Sequence, residues 1–183
     1  MTCSKPRARL TGAATAACLV WLLGATAAPA DTVETRGSVG AVALPVSGLL
    51  TAALHKDTKG AIQFVKAYGV TMAVVYVLKP IVNEKRPDGG SESFPSGHSA
   101  SAFAGAAFLQ MRYGWSYGVP AYALATFVAW SRVESKRHWT KDVVAGGAIG
   151  IASNLVFTRR FSKLAVQPTV VPRGAGLTLS ATW

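Results

Sequence analysis

The sequence predicts an all-α protein: a compact bundle of about five helices after an N-terminal signal or anchor segment, expected to be membrane-embedded. Half of the 183 residues are apolar and 15% are charged, with a mean hydropathy of +0.30. This composition is too apolar for a disordered chain. The apolar residues gather in runs that lack the period-two alternation of half-buried strands, and each run ends at glycine, proline or a charge cluster.

The first thirty residues are typical of an export signal. Three basic residues precede an apolar run over residues 10–27, which ends in Ala28-Pro29-Ala30. A basic start, a short apolar stretch and small residues before a cleavage point are the parts of a signal peptide. We expect residues 1–30 to be either removed after Ala30 or retained as a membrane anchor.

Residues 31–163 are predicted to form one helical domain, because five apolar runs follow one another there. A membrane-spanning helix needs about 20 apolar residues, which several of these runs do not reach, so membrane burial is an expectation from overall hydropathy. The runs are Ser38–Leu54, Ala61–Leu78, Ser99–Met111, Gly118–Trp130 and Val143–Phe157.

Residues 164–183 are expected to form a C-terminal tail. Its end, residues 176–183, alternates like a short strand. Such a strand has no obvious partner in a helical chain, so disorder or packing on the surface is the expectation.

The charge balance points to an anionic partner. Nineteen Lys and Arg stand against eight Asp and Glu, a formal net charge of +11. Nucleic acid is disfavoured because the basic residues lie between apolar runs and not along one helix face, which leaves a membrane surface or a phosphorylated substrate. Both cysteines lie in the first twenty residues, which excludes a zinc-cysteine pattern, and no metal or other cofactor is expected.

Two of the three chemically informative clusters lie between the second apolar run and the start of the predicted third helix. Lys79 and Arg86 follow the second apolar run, where neighbouring prolines disfavour a continuing helix. Ser96, Gly97 and His98 open the third helix. Ser96 suits a helix cap, and Gly97 lets backbone amides approach an anion at the positive helix terminus.

The third cluster precedes the last apolar run and contains Arg132, His138 and Asp142. His138 and Asp142 are four residues apart, which on a helix places the imidazole and the carboxylate on one face. Counting crossings from an external residue 31 places all three clusters on the same, outer side of a membrane. Their convergence would combine fixed positive charge with two imidazoles that titrate near neutral pH.

Three motifs carry a resemblance to a known family. Lys79 with Arg86-Pro87, the run Pro95-Ser96-Gly97-His98, and Ser131-Arg132 followed by His138 and Asp142 resemble the three-part signature of the type 2 phosphatidic acid phosphatase superfamily. The resemblance implies an all-helical fold, metal-independent phosphoryl transfer and a phosphohistidine intermediate.

The resemblance also implies roles for individual residues. It makes His138 the nucleophile, Asp142 its orienting carboxylate and His98 the general acid. The implied phosphate ligands are Lys79, Arg86, Ser96, Gly97 and Arg132.

The expected function is hydrolysis of a lipid phosphomonoester or pyrophosphate. We expect the protein in the bacterial inner membrane, with its site facing the periplasm and a phosphorylated lipid as its partner. A soluble periplasmic acid phosphatase of broad specificity is one alternative. A non-catalytic protein that binds anionic lipids is another.

Overall fold

The five predicted helices are present in a computed structural model, which describes residues 30–161, 163–171 and 174–182. Each helix contains one of the predicted apolar runs and extends beyond it, so the all-α class is confirmed for the body of the chain. Residues 1–29, on which the signal or anchor prediction rests, lie outside the described residues. The helices are α1 (Ala30–Leu54), α2 (Thr58–Val82), α3 (Gly97–Tyr113), α4 (Trp115–Glu134) and α5 (Thr140–Phe157).

The chain continues into a two-stranded antiparallel hairpin. Strand β1 (Lys163–Val171) pairs with β2 (Gly174–Thr182), with Lys163 opposite Thr182. The expectation that the terminal strand has no partner was wrong, because the partner is the segment just before it. Pro168 obscured that segment, since proline cannot donate a ladder hydrogen bond, although an edge strand tolerates it.

Helix α3 is the centre of the bundle and packs against the other four helices. Small side chains on several of its faces are completely buried, among them Ala100, Ala104 and Ala107. Helix α5 approaches the α3 backbone through glycines: a Cβ at Gly146 would lie 2.3 Å from the Ser96 carbonyl oxygen. This close approach sets the start of α3 against the start of α5.

A buried ion pair closes the other end of the bundle. Asp57, which caps α2, accepts from Arg112 Nε at 2.7 Å and Nη2 at 2.6 Å and from the Tyr113 hydroxyl at 2.9 Å. Arg112 Nη1 also donates to the Arg159 carbonyl at 2.6 Å. The pair therefore joins the α1–α2 turn, the end of α3 and the chain that leaves α5.

Two helices of the described part of the chain are long and apolar enough to cross a membrane. They are Thr32–Leu54 within α1 and Thr58–Val82 in α2, with mean hydropathies of 1.7 and 1.6. Large apolar side chains are exposed on both, including Val42 and Val65. Helices α1 and α2 thus present an apolar outer surface.

We predict that Gly150→Ala destabilises the bundle. A Cβ there would lie 2.5 Å from the Ala100 carbonyl oxygen and 2.8 Å from the Ala104 nitrogen, so α5 must move away from α3. Overpacking of this kind lowers the free energy of unfolding by about 1–3 kcal/mol, which thermal unfolding followed by circular dichroism will detect.

The matched control is Gly69→Ala in α2, where a Cβ meets no atom within 4 Å. It should unfold at the wild-type temperature or above, because alanine is the better helix former. A Gly150→Ala protein as stable as this control would contradict the assigned packing.

Candidate active site

The three predicted clusters meet in one cleft of about 380 Å³ at one end of the bundle. The last turn of α2, the start of α3, the end of α4 and the turn before α5 all contribute to its wall. Sequence positions that are distant in the chain are therefore neighbours in space. Six of the eight predicted site residues line this cleft: Lys79, Arg86, Gly97, His98, Arg132 and His138.

His138 lies in the turn between α4 and α5, where its side chain is buried. Its backbone amide donates to the Arg132 carbonyl at 3.2 Å, and its Nδ1 lies 3.6 Å from Asp142 Oδ2. The expectation that His138 and Asp142 share a helix face was wrong, because α5 begins at Thr140. The contact arises instead because the turn folds back over the first turn of α5.

Asp142 is fully buried behind His138. One of its oxygens accepts from the Trp139 amide at 2.9 Å, the carboxylate half of a helix capping box. The same oxygen accepts a short hydrogen bond from the Ser93 hydroxyl. The carboxylate is thereby fixed beside the Nδ1 side of the imidazole, which leaves Nε2 as the ring nitrogen away from it.

Ser93 is a site residue that the sequence analysis missed. It is fully buried, and its hydroxyl oxygen lies 3.5 Å from His138 Nδ1 while it donates to Asp142. It thus touches both members of the pair. The available signal in the sequence was its place two residues before Pro95, at the edge of the glycine-containing motif.

Arg132 is buried and is held by α1. Its guanidinium donates to the Ser38 hydroxyl at 3.2 Å and, through Nη2, to the Glu34 backbone carbonyl. Gly37 provides the space, since a Cβ there would lie 2.6 Å from Arg132 Nη2. These acceptors are uncharged, and the Glu34 carboxylate, which also lines the cleft, forms its ion pair with Arg137.

Lys79 is also held by an uncharged acceptor, whereas Arg86 differs. Lys79 Nζ donates to the Glu92 backbone carbonyl at 2.6 Å. Arg86 Nε is buried and has no hydrogen-bond partner among the described residues. A buried donor of this kind needs an acceptor, and an anion in the cleft would supply one.

Ser96 and Gly97 occupy different positions relative to the cleft. Ser96 is confirmed as the α3 cap: its buried hydroxyl oxygen accepts from the Ser99 amide at 3.5 Å. It does not line the cleft, and its role as a phosphate ligand stays a prediction. Gly97 does line the cleft, at the positively polarised first residue of α3, with His98 exposed beside it.

Burial, together with the positive charges of Arg86 and Lys79, lowers the pKa of His138 to about 4, against the smaller opposing effect of the Asp142 charge. Partial desolvation in the cleft, followed by the charge of Arg132, also lowers the pKa of His98. The expectation of titration near neutral pH is therefore corrected for His138. A bound dianion would oppose both shifts, because negative charge favours the protonated ring.

The family model of the PAP2 superfamily matches residues 60–165, which is more than half of the chain. The chain belongs to this superfamily, and the predicted relationship is confirmed. The matched range contains every residue of the candidate active site except those that α1 contributes.

Three curated relatives add to this result. A lipid A 1-phosphatase of Porphyromonas gingivalis is 46% identical over 71 residues, 36% of this chain and 16% of the relative. A lipid A 4'-phosphatase of Helicobacter pylori is 31% identical over 118 residues, 58% of this chain and 60% of the relative. A putative phosphatidate phosphatase of Drosophila melanogaster is 38% identical over 92 residues, 44% of this chain and 24% of the relative. The chain thus spans less than two thirds of the length of each relative.

The fold is also found in a solved structure. The crystal structure of Aquifex aeolicus LpxE superposes with a TM-score of 0.62 at 20% sequence identity, over 75% of this chain and 92% of that one. The likeness supports the helical architecture described above.

We predict that replacing Arg86 by Gln raises the pKa of His138 towards the ordinary histidine value of 6.5, because a positive charge that opposes protonation is lost. The measurement is the NMR titration of the His138 ring resonances. Arg160→Gln, at an exposed position at the other end of the bundle, is the control and should leave the pKa unchanged. An equal pKa in the wild type and the Arg86 variant would contradict the electrostatic assignment.

Proposed function

We propose that this protein is a metal-independent phosphatase that hydrolyses a lipid phosphomonoester, or a lipid pyrophosphate, through a phosphohistidine intermediate. The observation that carries the proposal is the meeting of two imidazoles with Lys79, Arg86 and Arg132 in one cleft, where a fourth cation, Arg137, is paired with Glu34 and Asp88. The names of the three relatives, each that of a phosphatase of a phosphorylated lipid, support it.

His138 supplies the nucleophile. Its lowered pKa keeps the ring neutral above about pH 4, so a lone pair is available for attack on phosphorus. With Nδ1 held towards Ser93 and Asp142, the attacking atom is Nε2. The new bond joins Nε2 to phosphorus while the bond from phosphorus to the lipid oxygen breaks.

His98 is the proposed proton carrier. It donates a proton to the departing lipid oxygen, after the charge of the bound phosphate has raised its pKa. It then takes a proton from a water molecule, whose oxygen attacks the phosphohistidine and releases inorganic phosphate. The second step restores the His138 ring and returns the proton to His98.

Lys79, Arg86 and Arg132 are proposed to balance the charge on the non-bridging oxygens. Because backbone carbonyls and a hydroxyl hold the Lys79 and Arg132 side chains, their charge remains available to the substrate. The amides at the start of α3 add neutral donors beside Gly97. In this proposal the protein's own groups stabilise the transition state without a metal ion. Activity is therefore expected to persist in EDTA.

We infer a position in the bacterial inner membrane, with the cleft towards the periplasm. The apolar helices α1 and α2 support membrane insertion. The exposed basic residues Lys56, Lys59, Arg159 and Arg160 lie near the Asp57–Arg112 pair, at the end opposite the cleft, and would face the cytoplasm by the positive-inside rule. Recovery of activity only with detergent supports this placement, whereas release by osmotic shock would favour the soluble alternative.

We predict that His138→Gln abolishes release of inorganic phosphate from dioleoyl phosphatidate, because no nucleophile remains. Wild-type protein mixed with a ³²P-labelled substrate and quenched should carry an acid-labile label, and the variant should not. His55→Gln is the control, since His55 stacks on Tyr113 at the other end of the bundle. Turnover by the His138 variant would overturn the mechanism, and binding without turnover by the wild type would indicate a lipid-binding protein.

We predict a dependence on the leaving group for His98→Gln. An alkyl phosphate needs a proton on its departing oxygen, whereas p-nitrophenolate leaves without one. Labelling of the protein should therefore survive with p-nitrophenyl phosphate and disappear with phosphatidate, and dephosphorylation should slow with both. An equal loss of labelling with the two substrates would contradict the role of His98 as the general acid.

A further inference from the structure

An apolar groove of about 400 Å³ runs between α1 and α2 on the outside of the bundle. It is distinct from the cleft, but the two cavities share Val42 and Tyr68 in their walls. The groove therefore begins where the cleft ends. Its lining consists of Val42, Pro45, Val46 and Leu49 from α1 and of Phe64, Val65, Tyr68 and Gly69 from α2.

Tyr68 is fixed at the junction of the two cavities. Its hydroxyl forms a 2.9 Å hydrogen bond with the Ser101 hydroxyl, which donates in turn to the Ala41 carbonyl at 2.7 Å. The polar atom of Tyr68 is thus engaged with α3, and the remaining groove lining carries apolar side chains. The cations of the site lie in the cleft, and none of the groove residues is charged.

Gly69 differs from the other glycines inside the described helices. At Gly37, Gly105 and Gly150 an added Cβ would lie less than 3.0 Å from an atom of another helix, so close packing accounts for the glycine. At Gly69 an added Cβ meets nothing within 4 Å. Glycine in a helix interior destabilises it relative to alanine, and here the protein gains no helix contact in return. Gly69 is exposed, so the open space beside it is accessible to another molecule.

We propose that the groove holds a hydrocarbon chain of the phosphorylated lipid whose phosphate occupies the cleft, and that Gly69 keeps the groove open for it. This inference rests on the proposed function. The continuity through Val42 and Tyr68 supports one ligand that spans both cavities. The exposure of Val42, Val46 and Val65 along the groove lets a chain enter sideways from surrounding lipid.

The distance along α2 between Gly69 and Lys79 predicts that the groove distinguishes substrates by the length of their acyl chains. Gly69 precedes Lys79 by ten residues, or about 15 Å along the helix axis. A long acyl chain attached near the phosphate extends past that depth, whereas a six-carbon chain ends short of it. An obstruction at Gly69 therefore acts on long-chain substrates and not on short ones.

The experiment compares kcat/KM for dioleoyl and dihexanoyl phosphatidate in one detergent, using the full chain. Gly69→Leu should lower the ratio of long-chain to short-chain kcat/KM about tenfold, the effect of losing burial of about two methylene groups. Gly69→Ala should give a smaller change in the same direction. Val65→Phe narrows the groove from one turn away and should reproduce the effect if Gly69→Leu does not fold.

Val70→Leu is the matched control, because Val70 is the next residue of α2 but does not line the groove. Its ratio should equal that of the wild type. If Gly69→Leu and Val65→Phe both retain turnover with the wild-type ratio, the groove does not hold the hydrocarbon chain. The phosphatase proposal would remain intact. Equal losses with both substrates would assign the groove a structural role, while a wild type inactive on both would overturn the proposed function as well.

Discussion

The buried carboxylate of Asp142 joins the distant parts of the site. It accepts from the Ser93 hydroxyl and from the Trp139 amide, and its own backbone carbonyl accepts from the Ser96 amide at 3.0 Å. A buried carboxylate requires such donors, since an uncompensated buried charge costs several kcal/mol. The segment before α3, the turn before α5 and the His138 ring are positioned together for this reason.

The buried cations at the two ends of the bundle have different kinds of partner. Asp57 neutralises Arg112 completely, and in proteins generally removal of one partner of a buried pair costs about 3–5 kcal/mol. In the cleft, carbonyls and a hydroxyl orient Lys79 and Arg132 without cancelling their charge. The kind of partner thus separates a structural cation from one available to a ligand, although both kinds are buried or half-buried.

Local signals made much of this structure predictable. Helix breakers and apolar runs located all five helices, and the count of crossings between the motifs predicted that their residues would meet at one end. Contacts that depend on three-dimensional proximity could not be predicted: the Asp57–Arg112 pair joins residues 55 apart, and Ser93 is remote in sequence from Asp142. The lowered pKa of His138 likewise depends on its burial and on charges from two other segments. The motifs predicted six residues that line the cleft, whereas the groups that position these residues and shift the pKa of His138 could not be predicted from them.

The cleft and the groove together address a difficulty that any phosphatase of this design meets. In the proposed reaction the product is inorganic phosphate, which fits the same cations as the substrate. Mutual repulsion among Lys79, Arg86 and Arg132 favours any anion that binds them. Selectivity for substrate over product must therefore come from contacts that phosphate cannot make. The groove that begins at Tyr68 is proposed to supply such contacts, and its uncharged lining would hold the hydrocarbon part of the ligand without changing the charge around His138. In the proposed reaction the cations act in catalysis, while the space at Gly69 determines which phosphorylated molecule stays bound long enough to react.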